Sequence, residues 1–385
     1  MRILLLSGEY PPMIGGVADY TMHLAHHLAA EGHDVGVLTS TRAEPVEQPR
    51  LRVMAEIGAW NVLAWPRILE IAREYDLVHI QYQAAAFDLG GAIPLLPDWL
   101  RVRGGPPVVV TFHDLRVPYL FPKAGRLRQA VVRRLAQRAH AVVTTNEEDE
   151  AILQAWGVRL LAFIPIGSNI PVQPPADFDA DTWRARWGVS PEDWLIVYFG
   201  FINRSKGVHI LLRAQDRLLR AGFRAKVLIV GDRLGASDPT NAAYLAEIEE
   251  LVEELNLTDD WLMWTGHVPA AEVSAALKAA DVVALPYTQG ASLRHGTLIA
   301  ALTHGAAVVT TEPRVPSRYL KPQHTVAVAR RNHEGDFARR LALVLRRDDT
   351  KRRLQRGALE VAPEFDWKRI RDQHITLYEQ LLAER

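Results

Sequence analysis

Short apolar runs alternate along this chain with longer stretches in which apolar side chains return at every third or fourth position. The short runs predict buried strands at residues 3–7, 34–39, 77–81, 107–112, 141–145 and 162–165. A second series follows at 194–200, 226–231, 262–266, 282–286 and 306–310, with an edge strand at 324–329. Most are nearly continuous in Val, Ile, Leu and Ala, the pattern of strands covered on both faces. Helices are predicted between them at 17–31, 207–221, 242–255, 270–279 and 297–304. In the first of these Ala18, Met22, Ala25 and Leu28 share one side. Short strands alternating with longer helices imply parallel βαβ construction.

Residues 171–181 are rich in Pro and Asp, lack periodicity, and read as a linker. The tail from 336 onward reads as helical, interrupted at Pro363, with a last apolar face at Ile370, His374, Ile375, Tyr378 and Leu381. At 385 residues the chain exceeds what one core usually supports. The expected fold class is therefore α/β, with two doubly wound, Rossmann-like domains facing across a cleft. The expected division is 1–170, a linker over 171–190, a second domain over 191–365, and a final helix over 366–385.

Charge narrows the list of partners. Lys and Arg number 45, as do Asp and Glu, so nothing global attracts nucleic acid or an anionic membrane. No cysteine is present, which excludes disulfides, thiolate metal sites and a cysteine nucleophile. His23, His26 and His27 share the first helix, but no Glu completes a metal motif and no metal is assigned. The first Gly loop lacks the G-x-G-x-x-G fingerprint, so no nicotinamide cofactor is expected. The apolar run at 3–6 is too short for a signal peptide, and no stretch reaches membrane-spanning length. The chain is expected to be cytoplasmic, with a membrane-peripheral option. That option rests on 123–138, where Lys123, Arg126, Arg128, Arg133, Arg134 and Arg138 surround an apolar stripe of Leu127, Ala130, Val131 and Leu135. The simpler reading packs the stripe on the sheet and leaves the basic face in solvent. The arginines carry no interleaved stacking aromatics, and nucleic acid is not an expected partner.

Candidate chemistry gathers at loops that follow strands. The segment from Ala279 to Tyr287, then a helix opening near Gly296 and a turn at Gly305, places a helix N-terminus at the carboxyl ends of strands. Unpaired N–H groups and the positive dipole end there suit a phosphate. Lys206 before Gly207 supplies a cation at another helix mouth, with Arg204 beside it. Gly15 and Gly16 allow backbone N–H groups to approach an anion. His113 ends a buried strand, where an imidazole can hydrogen-bond a ligand.

In order and spacing, Gly8-Glu9-Tyr10-Pro11-Pro12 with Gly15-Gly16-Val17, Thr111-Phe112-His113-Asp114, and Ile164 to Asn169 form one set of motifs. Phe199-Gly200 with Lys206-Gly207, and His304-Gly305-Ala306-Ala307-Val308-Val309, complete it. The set resembles the retaining GT-B glycosyltransferases of group 1 (family 4-like), which include sucrose-phosphate synthases and bacterial glycogen synthases. The resemblance covers nearly the whole chain. It implies transfer of a sugar from a UDP- or GDP-linked donor to a sugar, polysaccharide or lipid-linked acceptor, without a catalytic metal or cofactor, the nucleotide-sugar being a substrate. It also implies that the last helix packs back on the first domain.

Residue by residue, the resemblance implies catalytic roles for His113, Arg204 and Lys206. Donor contacts fall to Gly15, Gly16, Gly200, Arg204, Lys206, Ser292, Arg294, His295, Gly296 and Thr297, and acceptor contacts to Glu9, Tyr10, Gly16 and His113. Two departures stand out. Phe201 occupies the place of the family arginine, so Arg204 must supply that charge from another position. Ser292 and Ala300 occupy the places of two signature glutamates, as in a divergent subgroup. A sugar-nucleotide epimerase or hydrolase, and a binding protein without turnover, remain alternative readings.

Overall fold

The computed structural model describes residues 1–115, 125–232 and 239–384. The chain divides into two compact units: Met1–Asn169 together with Asp366–Arg385, and Ile170–Phe365.

The first unit is built on β1 (Arg2–Ser7), β2 (Asp34–Ser40), β3 (Val46–Gln48), β4 (Leu51–Ile57), β5 (Leu77–Tyr82), β6 (Val108–Phe112), β7 (Ala141–Thr144) and β8 (Leu161–Phe163). They form one sheet in the order β3-β4-β2-β1-β5-β6-β7-β8. Every neighbouring pair is parallel except β3 and β4. The second unit carries β9 (Trp194–Phe199), β10 (Ala225–Val230), β11 (Leu262–Trp264), β12 (Val282–Leu285), β13 (Val308–Thr311) and β14 (Ala327–Ala329). Its sheet is parallel throughout, in the order β11-β10-β9-β12-β13-β14. Setting aside the hairpin strand β3, both sheets wind outward in two directions from their first strand. The winding reverses between β1 and β5, and again between β9 and β12. In open α/β sheets, ligands bind beyond the carboxyl ends of strands at such reversals.

β3 and β4 lie outside the strands expected from sequence. β4 buries Leu51, Val53, Met54 and Ile57 but exposes Arg52 and Glu56, so its charges interrupt the apolar run. The expected linker 171–190 also divides differently. Asp179 caps a helix at Ala180–Arg186 by accepting from Thr182 N at 2.8 Å. Trp183 of that helix is buried and donates to Glu272 at 2.9 Å, while Arg184 pairs with Asp281 at 2.9 Å. These ties make the helix part of the second unit.

The helix Trp367–Ala383 belongs to the first unit, far from it in sequence. Its buried face of Trp367, Ile370, His374, Leu377, Tyr378 and Leu381 repeats every third or fourth residue. Trp367 is 9 % exposed and donates to Ser168 O at 2.8 Å, and a Cβ on Gly167 would lie 2.4 Å from its ring. His23 and His27 of the helix Gly16–Ala30 stack on the same indole at 5.0 and 5.9 Å. Trp367→Ala is expected to cost the first unit about 3–5 kcal/mol, because the cavity left by an indole cannot collapse. Denaturant unfolding of the variant checks this.

Candidate functional site

In the second unit the loops after β9 and β12 meet beside the winding reversal. The first loop carries Gly200 and the short turn Arg204–Lys206. Asn203 caps that turn, its Oδ1 accepting from Lys206 N at 3.1 Å. Gly207 then opens the helix Val208–Arg220 with φ 73°, and a Cβ there would lie 2.0 Å from Pro286 O. Only glycine permits both that dihedral and that approach, which locks the first loop onto the second.

The second loop ends at the helix Gly296–Thr303, which no side chain caps. Lys206 Nζ reaches Thr297 Oγ1 at 3.4 Å and lies 5.4 Å from the centre of the Tyr287 ring. The Tyr287 hydroxyl and Thr297 Oγ1 are 2.7 Å apart. His295 stacks on Tyr287 with ring centres 3.8 Å apart and an interplanar angle of 18°. Its Nδ1 accepts from Ser292 N at 3.3 Å, which leaves the proton on Nε2. Gly200 closes the cluster: a Cβ there would lie 3.1 Å from Thr297 Cγ2.

Charge in this cluster is one-sided. Lys206 has no carboxylate partner among the described residues. Burial pulls its ammonium down to about 8. Burial, with Lys206 and Arg294 adding repulsion, holds His295 well below the usual imidazole range. The arrangement offers the Lys206 cation, a neutral N–H donor, hydroxyls and an uncapped helix N-terminus, a set suited to an anionic oxygen cluster.

Of the residues expected here, Gly200, Lys206, Ser292, His295, Gly296 and Thr297 come together around Lys206 or the loop beside it. Arg294 is partly buried in the same loop, its N donating to Ser292 Oγ at 3.4 Å. Arg204 does not join them. Its guanidinium is bound by the Glu247 carboxylate and covers the Tyr244 ring at 4.9 Å. An acidic helix across the turn outcompetes the loop for this arginine. Ala300 is fully buried. Tyr287 is the residue that sequence reading passed over. Its signal was a Pro-Tyr pair directly after a buried strand, and its Oη, Thr297 and Lys206 now define the centre of the site.

In the first unit, the loop after β1 folds Glu9 over Gly15, where a Cβ would sit 2.5 Å from Oε2. Burial raises the Glu9 carboxyl, and Arg42 partly offsets it. Gly15 is extended at φ 177°, the helix Gly16–Ala30 begins without a side-chain cap, and Gly16 faces open space. Tyr10, expected on the acceptor, instead lies 3 % exposed in the apolar core, and burial pushes its phenol up to about 12. Its ring follows the chain inward where Pro11 and Pro12 turn the loop.

His113 follows β6 and donates from Nε2 to Gln81 Oε1 at 3.1 Å, which leaves Nδ1 as an acceptor. Burial lowers it to about 3, so the ring is neutral. It meets Tyr20 edge-on at 4.8 Å, and the Tyr20 hydroxyl in turn donates to His374 Nε2 at 3.3 Å.

The basic helix spans Gly125–Arg138. Lys123 lies outside the described residues, as do the side chains of Arg126, Leu127 and Arg128. Val132, Leu135 and Ala136 are buried in the core of the sheet, while Val131 is only partly buried and Ala130 is exposed. Arg134 and Arg138 share Asp98 at 2.8 and 3.2 Å. Of the stripe expected from sequence, Leu135 is thus packed within the unit. No helix among the described residues is long and apolar enough to cross a membrane.

Comparison with known proteins fits this architecture. Residues 15–167 match the model of the glycosyl transferase 4-like domain, and residues 179–361 that of glycosyl transferases group 1. D-inositol 3-phosphate glycosyltransferase of Nocardia farcinica is 26 % identical, over 100 % of this chain and 90 % of the relative. Alpha-monoglucosyldiacylglycerol synthase of Streptococcus pneumoniae is 23 % identical over 73 % of this chain and 65 % of its own. Among solved structures, sucrose-phosphate synthase from Thermosynechococcus elongatus superposes with a TM-score of 0.78 at 23 % identity, covering 100 % of both chains. Anabaena Alr3699/HepE in complex with UDP-glucose gives 0.74 at 19 % identity, again over 100 % of both. The chain belongs to the group 1 glycosyltransferases, with the GT-B fold. It is an enzyme that transfers a sugar from a nucleotide-activated donor.

Proposed function

We propose that the second unit binds a UDP-sugar, with GDP-sugars the next candidates, and that the first unit binds the acceptor. The diphosphate is held by Lys206 Nζ, the N–H groups opening the helix at Gly296, and Nε2–H of His295. One observation carries this reading: an ammonium without a carboxylate partner, set beside an uncapped helix N-terminus at the sheet's winding reversal. Solved neighbours that hold UDP and UDP-glucose support the choice of nucleotide.

Departure of a nucleoside diphosphate builds negative charge on its outer phosphate. A fixed cation and N–H donors lower that barrier without covalent chemistry. Ser292, His295 and Thr297 take over the donor contacts of the two absent glutamates, as neutral groups. Arg204 is held in reserve by Glu247 and contributes only if that pair opens. In the first unit His113 Nδ1 and Glu9 accept hydrogen bonds from sugar hydroxyls, and transfer proceeds with retention. The acceptor is a sugar, polysaccharide or lipid-linked sugar. Among relatives, one is named for an inositol phosphate and another for a glucosylated diacylglycerol.

Transfer assays over UDP- and GDP-sugars, each with soluble sugars and glycolipids, test this, with product anomers read by NMR. A retained linkage from a UDP-sugar is expected. Donor loss or epimerisation without acceptor, or tight binding without turnover, would each overturn it in favour of the corresponding alternative.

The lysine also sets a pH dependence. Its ammonium is charged below about 8 and loses its proton as pH rises through that value. UDP affinity is therefore expected to hold at pH 7 and fall above pH ~8, with proton uptake on binding at alkaline pH. Calorimetry in two buffers of different ionisation enthalpy measures both effects.

A further inference from the structure

The helix Asp348–Val361 turns Asp349, Arg352, Arg356 and Leu359 to one side. With Lys278, His304 and the turn at Gly305, that side lines a crevice of about 640 Å³. The size suits a small molecule. Its position sets it apart from the Lys206 cluster. Ala280 and Ala306 on its wall stand just before β12 and β13, at the amino ends of the strands. Tyr287 and Thr297 lie beyond the carboxyl end of β12.

The lining is strongly positive. Lys278, Arg352 and Arg356 are exposed and have no carboxylate partner among the described residues. The one acid in the wall, Asp349, already accepts two bonds from Arg347 at 3.2 Å each. His304 adds no charge, because burial, with Lys278 adding repulsion, holds its imidazole below the usual range; its Nδ1 lies 2.7 Å from Ala300 O and its Nε2 2.9 Å from Ser274 Oγ. Leu359 closes one side against Gly305, where a Cβ would lie 2.8 Å from the leucine methyl. Three cations without carboxylate partners among the described residues line one crevice, and an anion there would pair with them. Arginine pairs present forks of N–H donors matched to phosphate oxygens.

We propose that this crevice is a second anion site, taking a small phosphate ester with two or more negative charges. The ester is either a free metabolite or the headgroup of an anionic lipid, and the same cations serve both. Neither the donor nor the acceptor role of the protein requires it.

Calorimetric titration of inorganic tripolyphosphate into the Lys206→Ala protein tests the proposal, since that background removes the cation of the donor site. Saturable one-to-one binding is expected, weakened about tenfold or more by R352Q/R356Q, the loss of two charge-assisted contacts. R133Q, which removes an exposed arginine from another surface, is expected to leave it unchanged. No saturable binding, or equal weakening by R133Q, would overturn the proposal. Flotation with phosphatidylcholine vesicles, with and without phosphatidylglycerol, separates the two sources. A lipid headgroup predicts vesicle binding that R352Q/R356Q abolishes; a free ester predicts saturable tripolyphosphate binding with vesicles ignored. Both arginines are solvent-exposed, and thermal melts of the double variant report whether folding is intact.

Discussion

Lys206→Ala is expected to raise the Kd for UDP by about 100-fold, through loss of a charge-assisted contact in a partly desolvated site. Transfer should fall further, because the ammonium meets more negative charge as the diphosphate departs than in the bound donor. The kcat/KM of the variant is expected to drop about 1000-fold, with kcat carrying part of the loss. Folding should be untouched or improved, since the lysine's own charge is disfavoured by burial. Calorimetry with UDP and initial rates with the preferred donor measure the two effects. Equal UDP affinity in the two proteins would remove the lysine from the site.

Gly207→Ala is expected to destabilise the second unit by at least ~3 kcal/mol, combining a left-handed backbone penalty with a steric clash. Pro286 O stands 2.0 Å from the new Cβ, so the loops after β9 and β12 must separate. Lys206, one residue earlier, moves with them, and donor binding is lost together with stability. Gly222→Ala is the control. Its φ is 80° but nothing lies within 4 Å of a Cβ there. That variant should cost only the backbone part, about 1–2 kcal/mol, and bind UDP normally. Thermal melts with and without UDP distinguish the two cases. Equal costs for both variants would show that the loop contact is unimportant.

The sheets were legible because their central strands are buried on both faces and read as unbroken apolar runs, as in Trp194–Phe199 and Val282–Leu285. β4 escaped because a strand near the margin keeps Arg52 and Glu56 in solvent. The helix Ala180–Arg186 escaped because its stability comes from Trp183 and Arg184 reaching Glu272 and Asp281, partners remote in sequence. At the candidate site, glycine and lysine spacing located the loop around Lys206, since dihedral freedom and a helix mouth are local properties. Orientation was not local. Arg204 turns to Glu247 on another helix, and Tyr10 folds into the core. Tyr287 becomes central only through contacts made across the loops.

In the proposed function the diphosphate of an activated sugar is held by Lys206 and the helix that starts at Gly296. A crystal structure of the protein soaked with UDP tests that most directly. The expected result places the two phosphates against Lys206 Nζ and the first N–H groups of Gly296–Thr303, with His295 Nε2 in contact. Nucleotide bound away from these groups, with the Lys206 ammonium still on Thr297 and Tyr287 alone, would contradict it.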